Sequence, residues 1–365
     1  MKIAIDLSPV EDSPAGIGQY TINLVSELVE HDKKNEYIVY TRTPRLLPHT
    51  KNVVIKVNRS LPFSGKRWIK AVAKHAKKHS VDIFISPSNH SFSWYFPKTI
   101  QFVHDIAPLK FPNYFPALAA FKYKRSLSKA MKKAWKIVTV SNTIKKELEE
   151  YSKQKRNDIE VLYPGLNPWI TKSSKDVLAS ELIQSLPAEF ILSVGTLEPR
   201  KNYINLITAY AKYKDQLNIP LVIVGKKGWY FEEIYKTIIE NNLEKKVILA
   251  GYIADEDLSM LYSQAKAFVY ISHYEGFGIP PIEALYHGLP LLVSDIPIFH
   301  ETLGDKVRYC NQQSVESIGT GLVSLVKEKK SKSSPDYLSD NYSWEKSADK
   351  LSKIIDSANY DNQTR

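Results

Sequence analysis

Thirteen residues, HYEGFGIPPIEAL at 273–285, hold two carboxylates, Glu275 and Glu283, eight positions apart, with Gly276, Gly278, Pro280 and Pro281 between them. The apolar run AFVYIS just before them reads as a strand. A helix is expected from near Pro281, because proline's missing N–H costs nothing in a first turn. Glu283 then falls in that first turn, where the helix dipole favours an acid. Glu275 falls on the loop at the strand's carboxyl end, the edge at which open α/β sheets take ligands. Glycines let the backbone come close to a ligand and turn its N–H groups toward it. Carboxylates accept from hydroxyls and turned amides take anionic oxygens, so the stretch suits a sugar joined to a phosphate. A tight turn followed by an ordinary helix-start acid accounts for the same residues, and spacing alone does not separate the two.

Other stretches carry chemistry less densely. VGTLEPRKN at 194–202 places Arg200 and Lys201 on a turn after a strand, which reads as an anion contact or as a solvated basic turn. AGIGQY puts Gly16 and Gly18 after the first strand, but Tyr20 and Thr21 stand where a dinucleotide fingerprint has its third glycine. No acid closes a strand about 20 residues on, so a nicotinamide dehydrogenase is disfavoured. His104 and Asp105 end the strand QFVHD; a buried structural histidine is the alternative, and His287 and His300 are read as structural. In Asp255-Glu256-Asp257, Asp255 precedes the helical pattern EDLSMLYSQA, so it is expected to be an N-cap rather than a metal ligand. No His, Cys and carboxylate cluster has metal-ligand spacing, and no metal is expected.

The elements that must position these residues alternate. Strands read at KIAIDL, EYIVYT, VVIKV, DIFIS, TIQFVHD, KIVTVS and IEVLYP, then at FILSVGT, PLVIVG, KVILAGY, AFVYIS and LLVSD, with helical patterns between. Near-continuous Val, Ile and Leu in strands marks parallel sheets covered by helices on both faces. Two such series imply an α/β protein of two Rossmann-like doubly wound domains facing an interdomain cleft. The boundary is placed in YPGLNPWITKSSKD, giving domains at 1–167 and 168–341, with a final helix at about 342–365 packing back on the first.

Composition bounds the rest. The chain has 365 residues, 43% of them hydrophobic, and a formal charge of +11. Residues 1–165 hold 28 Lys+Arg and 14 Asp+Glu, or +14, and the remainder −3. A basic front half points to an anionic surface or substrate. Two basic helical stretches, GKRWIKAVAKHAKKHS with Trp68, Ile69, Val72 and Ala73, and FKYKRSLSKAMKKAWK, read either as solvated faces or as contacts with an anionic membrane. No nucleic-acid reader motif is present, and nucleic acid is not an expected partner. A single cysteine, Cys310, fits a reducing compartment. The N-terminus does not read as a signal peptide and no apolar run approaches the ~20 residues of a membrane span. A cytoplasmic location is expected, with contact at the inner face of the membrane left open.

E-G-F-G-I-P-P-I-E resembles the E-x7-E motif of retaining glycosyltransferases of the GT-B fold, specifically the GT4 family. The resemblance runs along nearly the whole chain: VGTLEPRKN, AGYIADEDLSMLYSQA, YHGLPLLVSDIP, SPAGIGQY, VHDIAPL and YSWEKSADKL match family stretches in order. It implies that Glu283 binds the nucleotide ribose and Glu275 the sugar hydroxyls. Gly276, Phe277, Gly278 and Ile279 would line sugar and phosphate, Arg200 and Lys201 would neutralise the diphosphate, and Tyr252 would join the donor site. Gly16 and Gly18 would face the donor phosphates. His104, with Asp105, would act at the transferred sugar. The implied reaction moves a hexose from a nucleotide sugar, GDP-mannose favoured, to a hydroxyl of a glycan or lipid-linked acceptor in bacterial polysaccharide assembly. Two departures stand out: Thr196 replaces a second arginine of some members, and YPGLNP replaces the usual Asn-Gly-Val linker. A sugar-nucleotide epimerase of the same shape and a non-catalytic basic glycan- or membrane-binding protein are the alternatives.

Overall fold

The near-continuous apolar runs become strands whose side chains are buried on both faces, and they assemble into two parallel sheets covered by helices. The computed structural model describes residues 1–8, 10, 16–41, 51–57, 66–88, 92–153, 155–156, 158–171, 181–331 and 335–363. Part of the SPAGIGQY stretch (13–15) and most of the polar run after the connector (172–180) lie outside the described residues. The chain divides into two units: Met1–Pro112, Ala117–Gly165 and Tyr342–Arg365 in the first, Leu166–Asn341 with the short segment Asn113–Pro116 in the second.

In the first unit the strands are β1 (Lys2–Asp6), β2 (Glu36–Thr41), β3 (Val53–Val57), β4 (Ile83–Ser86), β5 (Thr99–Val103), β6 (Lys136–Thr139) and β7 (Ile159–Val161). They lie in the order β3-β2-β1-β4-β5-β6-β7, all parallel. The order reverses between β1 and β4. Asp6 ends β1 there and is buried, which pushes its carboxyl up to about 6 against hydrogen bonds from Trp68 Nε1 at 2.9 Å and from Ser8. The Trp344–Gln363 helix packs along the Ile17–His31 helix, and the Ser347 hydroxyl donates to the Tyr163 carbonyl at 2.6 Å.

In the second unit the strands are β8 (Ile191–Val194), β9 (Leu221–Val224), β10 (Val247–Gly251), β11 (Ala267–Tyr270), β12 (Leu291–Ser294) and β13 (Arg308–Cys310), ordered β10-β9-β8-β11-β12-β13 and again parallel. β13 is not among the strands expected from sequence. It has three residues and begins on exposed Arg308, so no apolar run announces it. Leu206, Ile207 and Tyr210 of the Tyr203–Leu217 helix share a core with Ile318, Leu322 and Leu325 of the Val315–Leu325 helix, the three-and-four spacing that buries one helical stripe. Here the strand order reverses between β8 and β11, so the loops after these two strands emerge side by side, where such sheets take ligands.

Candidate functional site

Those two loops carry Arg200 and Lys201 on one side and Glu275 on the other. After β8 the chain turns through a single 3-10 turn, Pro199–Lys201, and Asn202 closes it in the left-handed conformation at φ 59°. This aims both cations back at the loop after β11. Lys201 Nζ lies 2.7 Å from Glu275 Oε1, and Arg200 Nη1 lies 2.8 Å from Glu275 Oε2. Arg200 also donates from Nη2 to Glu198 Oε1 at 2.7 Å and from Nη1 to the Tyr274 carbonyl at 2.8 Å. Lys201 donates to the Tyr270 hydroxyl at 2.5 Å. The loops are tied by backbone as well, His273 N to the Arg200 carbonyl at 2.9 Å. Burial pushes the Glu275 carboxyl up, but Arg200 and Lys201 overcome it and hold it down at about 2. Glu275 is therefore a permanent carboxylate with each oxygen bound to a cation. Glu198, Glu275, Arg200 and Lys201 together are neutral, the condition under which buried charges are tolerated.

Glu283 is held differently. The helix runs Ile279–Tyr286, two residues earlier than the sequence indicated, because Pro280 and Pro281 both fit its first turn. Glu283 thus lies in the second turn, past the reach of the dipole position expected for it. It is buried, accepting from Asn167 Nδ2 at 2.5 Å and from the Tyr262 hydroxyl at 2.9 Å. Gly278 starts the helix at φ 92°, and a Cβ there would sit 2.7 Å from Phe299 Cε1, so strain and space both demand glycine. Gly276, Phe277 and Ile279 fill the stretch between the acids, with Phe277 buried.

Two family descriptions match the chain in sequence order: Glycosyltransferase Family 4 over residues 14–169 and Glycosyl transferases group 1 over residues 180–337. The chain belongs to the family 4 glycosyltransferases. It is 25% identical over 359 residues to O-antigen chain mannosyltransferase B of Escherichia coli, covering 90% of this chain and 91% of that one. It is 28% identical over 334 residues to O-antigen chain mannosyltransferase RfbU of Salmonella typhimurium, covering 86% and 88%. Among solved structures, sucrose-phosphate synthase from Thermosynechococcus elongatus superposes with a TM-score of 0.75 at 17% identity, covering 98% of both chains, a likeness that shows the GT-B fold.

The glycosyltransferase places its remaining expected site residues as follows. Gly16 precedes the Ile17–His31 helix at φ 50°, whereas Gly18, expected on the loop, is buried inside that helix. His104 is buried after β5; its Nε2 lies 2.7 Å from the Pro87 carbonyl, so Nε2 carries the proton and donates. Burial lowers its pKa, leaving a neutral ring. Asp105 Oδ1 accepts from Ala107 N at 2.9 Å, which is a turn-capping bond. Tyr252 is exposed after β10 with Lys226 Nζ 4.8 Å from its ring centre. Asp255 is the first helical residue rather than the N-cap, which is Ala254 with its extended backbone. The sequence reading missed Glu198, Tyr270, Tyr262 and Asn167, all of them holding the acids and cations it did find. Glu198 alone carried a signal, an acid two residues from Arg200.

The basic helices also differ from one another. In the Lys66–Lys78 helix Trp68, Val72 and Ala73 turn inward, Trp68 and Val72 onto Phe84, Phe92 and Phe96, so its apolar face is core. In the Ala117–Lys133 helix Leu127, Ala130 and Met131 are buried while Leu118 and Phe121 stay 64% and 57% exposed on the opposite face. Among the described residues no helix is long and apolar enough to cross a membrane.

Proposed function

We propose that the enzyme transfers a hexose, mannose in first place, from a nucleoside diphosphate sugar to a hydroxyl of a growing glycan or lipid-linked acceptor, with retention, in the assembly of a bacterial surface polysaccharide. GDP-mannose is the favoured donor, and the names of the two O-antigen mannosyltransferases, matched along most of their length, support mannose as its sugar. The observation that carries the reading is the meeting of Arg200, Lys201 and Glu275 at the point where the second sheet reverses its strand order. Breaking the sugar–phosphate bond pushes negative charge onto the departing diphosphate, and fixed cations stabilise charge as it develops. Glu275, ionised throughout the working pH range, accepts hydrogen bonds from sugar hydroxyls and has no proton to give. With both oxygens bound to cations it is a poor nucleophile. That suits front-face transfer, in which the leaving phosphate takes the acceptor's proton and the protein contributes position and charge. Glu283 takes hydroxyls of the nucleotide ribose. In this reading His104, neutral and donating from Nε2 to Pro87, offers Nδ1 as an acceptor to the transferred sugar. The loop glycines Gly276 and Gly278, with Phe277 and Ile279, line the donor. Arg200 and Lys201 supply the charge, and no metal enters the chemistry, so turnover should persist in excess EDTA.

The test is a panel of GDP-, UDP-, dTDP- and ADP-sugars read by thermal shift and by the anomeric configuration of the product. GDP-mannose should raise the Tm, as any ligand selective for the folded state does. Stabilisation by none of them would overturn the proposal.

A lipid-linked acceptor fits a second observation. The Ala117–Lys133 helix holds six cations and no acid, and Lys129 and Lys133 lie 5.7 and 5.8 Å over the ring of exposed Trp94. Exposed Leu118, Phe121 and Trp94 ringed by cations are the makeup of a helix lying on an anionic bilayer. Phe121→Asp should abolish sedimentation with vesicles rich in phosphatidylglycerol and leave donor binding intact; unchanged sedimentation would remove the membrane from the reading.

A further inference from the structure

We propose that Asn167 and Tyr262 are positioning residues that fix the Glu283 carboxylate in one orientation for the donor. The inference rests on the reading that Glu283 takes donor hydroxyls. Each oxygen of this buried acid has its own neutral donor, Asn167 on Oε1 and Tyr262 on Oε2. A carboxylate free to rotate presents its lone pairs in many directions; one bonded at both oxygens presents them in a single plane. Each oxygen accepts about two hydrogen bonds, so ligand hydroxyls can join these donors without displacing them.

Both donors are themselves held. Tyr262, on the Asp255–Gln264 helix, stacks on His287 with ring centres 5.5 Å apart and packs against Phe268 at 5.8 Å. Burial, then the nearby Glu283 charge, raises its hydroxyl well above the ordinary tyrosine value, so it remains a donor at every working pH. Asn167 leaves the connector immediately before the Pro168–Thr171 helix, which packs against the helix bearing Tyr262. Leu166 and Pro168 flank it in YPGLNP, and the departure from the usual linker sequence still delivers one buried amide to the acid. Asparagine suits the place in a way aspartate does not: a second carboxylate 2.5 Å from Glu283 would force the pair to share a proton.

The experiment compares Tyr262→Phe, Asn167→Ala and Asn167→Asp alone and on a Glu283→Ala background, with Kd for the donor by calorimetry, KM, kcat and Tm. Tyr262→Phe and Asn167→Ala should each weaken donor binding on the order of tenfold, the loss of one hydrogen bond to a charged group, with kcat within about twofold. On the Glu283→Ala background both should have no further effect. Asn167→Asp should bind donor poorly at pH 8 and recover as the pH falls and the acid pair takes up a proton, whereas the wild type stays flat. Donor affinity unchanged in the single variants, or losses that persist in the absence of Glu283, would overturn the proposal. If Glu283→Ala itself leaves the donor Kd unchanged, the ribose role falls first and the positioning role with it; if only Glu283→Ala weakens binding, the positioning role falls alone.

Discussion

Glu275 and Glu283 stand on either side of the same glycine-proline stretch, both nearly buried at 6% and 3% exposure, and the protein holds them by opposite means. Glu275 is gripped by two cations. Among the described residues, Glu283 is gripped by an amide and a phenol. A cationic grip fixes charge: it keeps the acid ionised and at the same time keeps two cations buried beside the position proposed for the diphosphate. A neutral grip fixes direction and leaves the acid's charge available to a ligand hydroxyl. The contrast explains why one fold needs both acids and why exchanging their surroundings would serve neither.

The largest expected effect comes from removing the charge that the cations balance. Glu275→Gln leaves Lys201 and Arg200 buried, with Glu198 the acid that remains opposite them among the described residues. Loss of one partner from a buried ion cluster costs roughly 3–5 kcal/mol. Activity should fall on the order of a hundredfold or more, because the cations lose the geometry that meets the leaving group. Thermal denaturation and kcat check both. A Gln variant as stable as wild type would erase the distinction between the two grips.

The acid limb of the stability curve comes next. Glu275 sits at about 2 in the folded protein against an ordinary 4.5. Its folded pKa is depressed, so the unfolded chain takes the proton first. The contribution is complete above about pH 4.5 and is lost as pH falls toward 2. A shift of this size is worth on the order of 3 kcal/mol. Denaturant titrations at pH 6 and pH 3 should show the loss in wild type and a flatter response in Glu275→Gln. Equal slopes in the two proteins would mean that another group governs the limb.

How much of this the sequence disclosed depends on range. The alternating apolar runs made the two parallel sheets legible, because burial on both faces leaves a local signature in each strand. The loop bearing Glu275 and the turn bearing Arg200 and Lys201 were visible as motifs, and their adjacency followed from the strand order. What stayed hidden was set by tertiary contact. Gly18 reads like loop glycine, yet the Ile17–His31 helix takes it in. Trp68 reads like a membrane anchor amid lysines, yet its ring is core and its Nε1 bonds Asp6. Tyr262 and Tyr270 look like ordinary helix and strand aromatics; only the fold brings their hydroxyls to Glu283 and Lys201. Asn167 lies 116 residues from the acid it holds, a separation no local pattern spans.

Gly278 divides the two acids and offers a smaller perturbation that strikes both. At φ 92° with Phe299 2.7 Å from a new Cβ, Gly278→Ala should cost roughly 1–3 kcal/mol and shift Glu275 relative to Glu283. Phe299 is itself a fully buried ring, so Phe299→Ala lowers the Tm on its own. On that background Gly278→Ala should cost less than in the wild type, because the clash is gone, yet still cost something, because the φ strain remains. A cost of zero on that background would place the whole penalty in packing.

The smallest stability effect should be that of Glu283→Gln, and the reason lies in the neutral grip. A cation has no acceptor face to turn toward an amide, whereas Asn167 and Tyr262 can both change roles. The Tyr262 hydroxyl can rotate to accept from the new amide, and the Asn167 amide can flip to present its oxygen. With Asn167 and Tyr262 again paired, folding should change by less than about 1 kcal/mol, since the large penalties attach to unsatisfied partners. Donor affinity should nonetheless fall on the order of tenfold, because a neutral amide is a weaker acceptor for ligand hydroxyls than a carboxylate. Calorimetry on a folded, nearly wild-type-stable variant isolates that loss. A Gln variant destabilised as much as Glu275→Gln would show that the surroundings of Glu283 are charged after all, and the two acids would then be held alike.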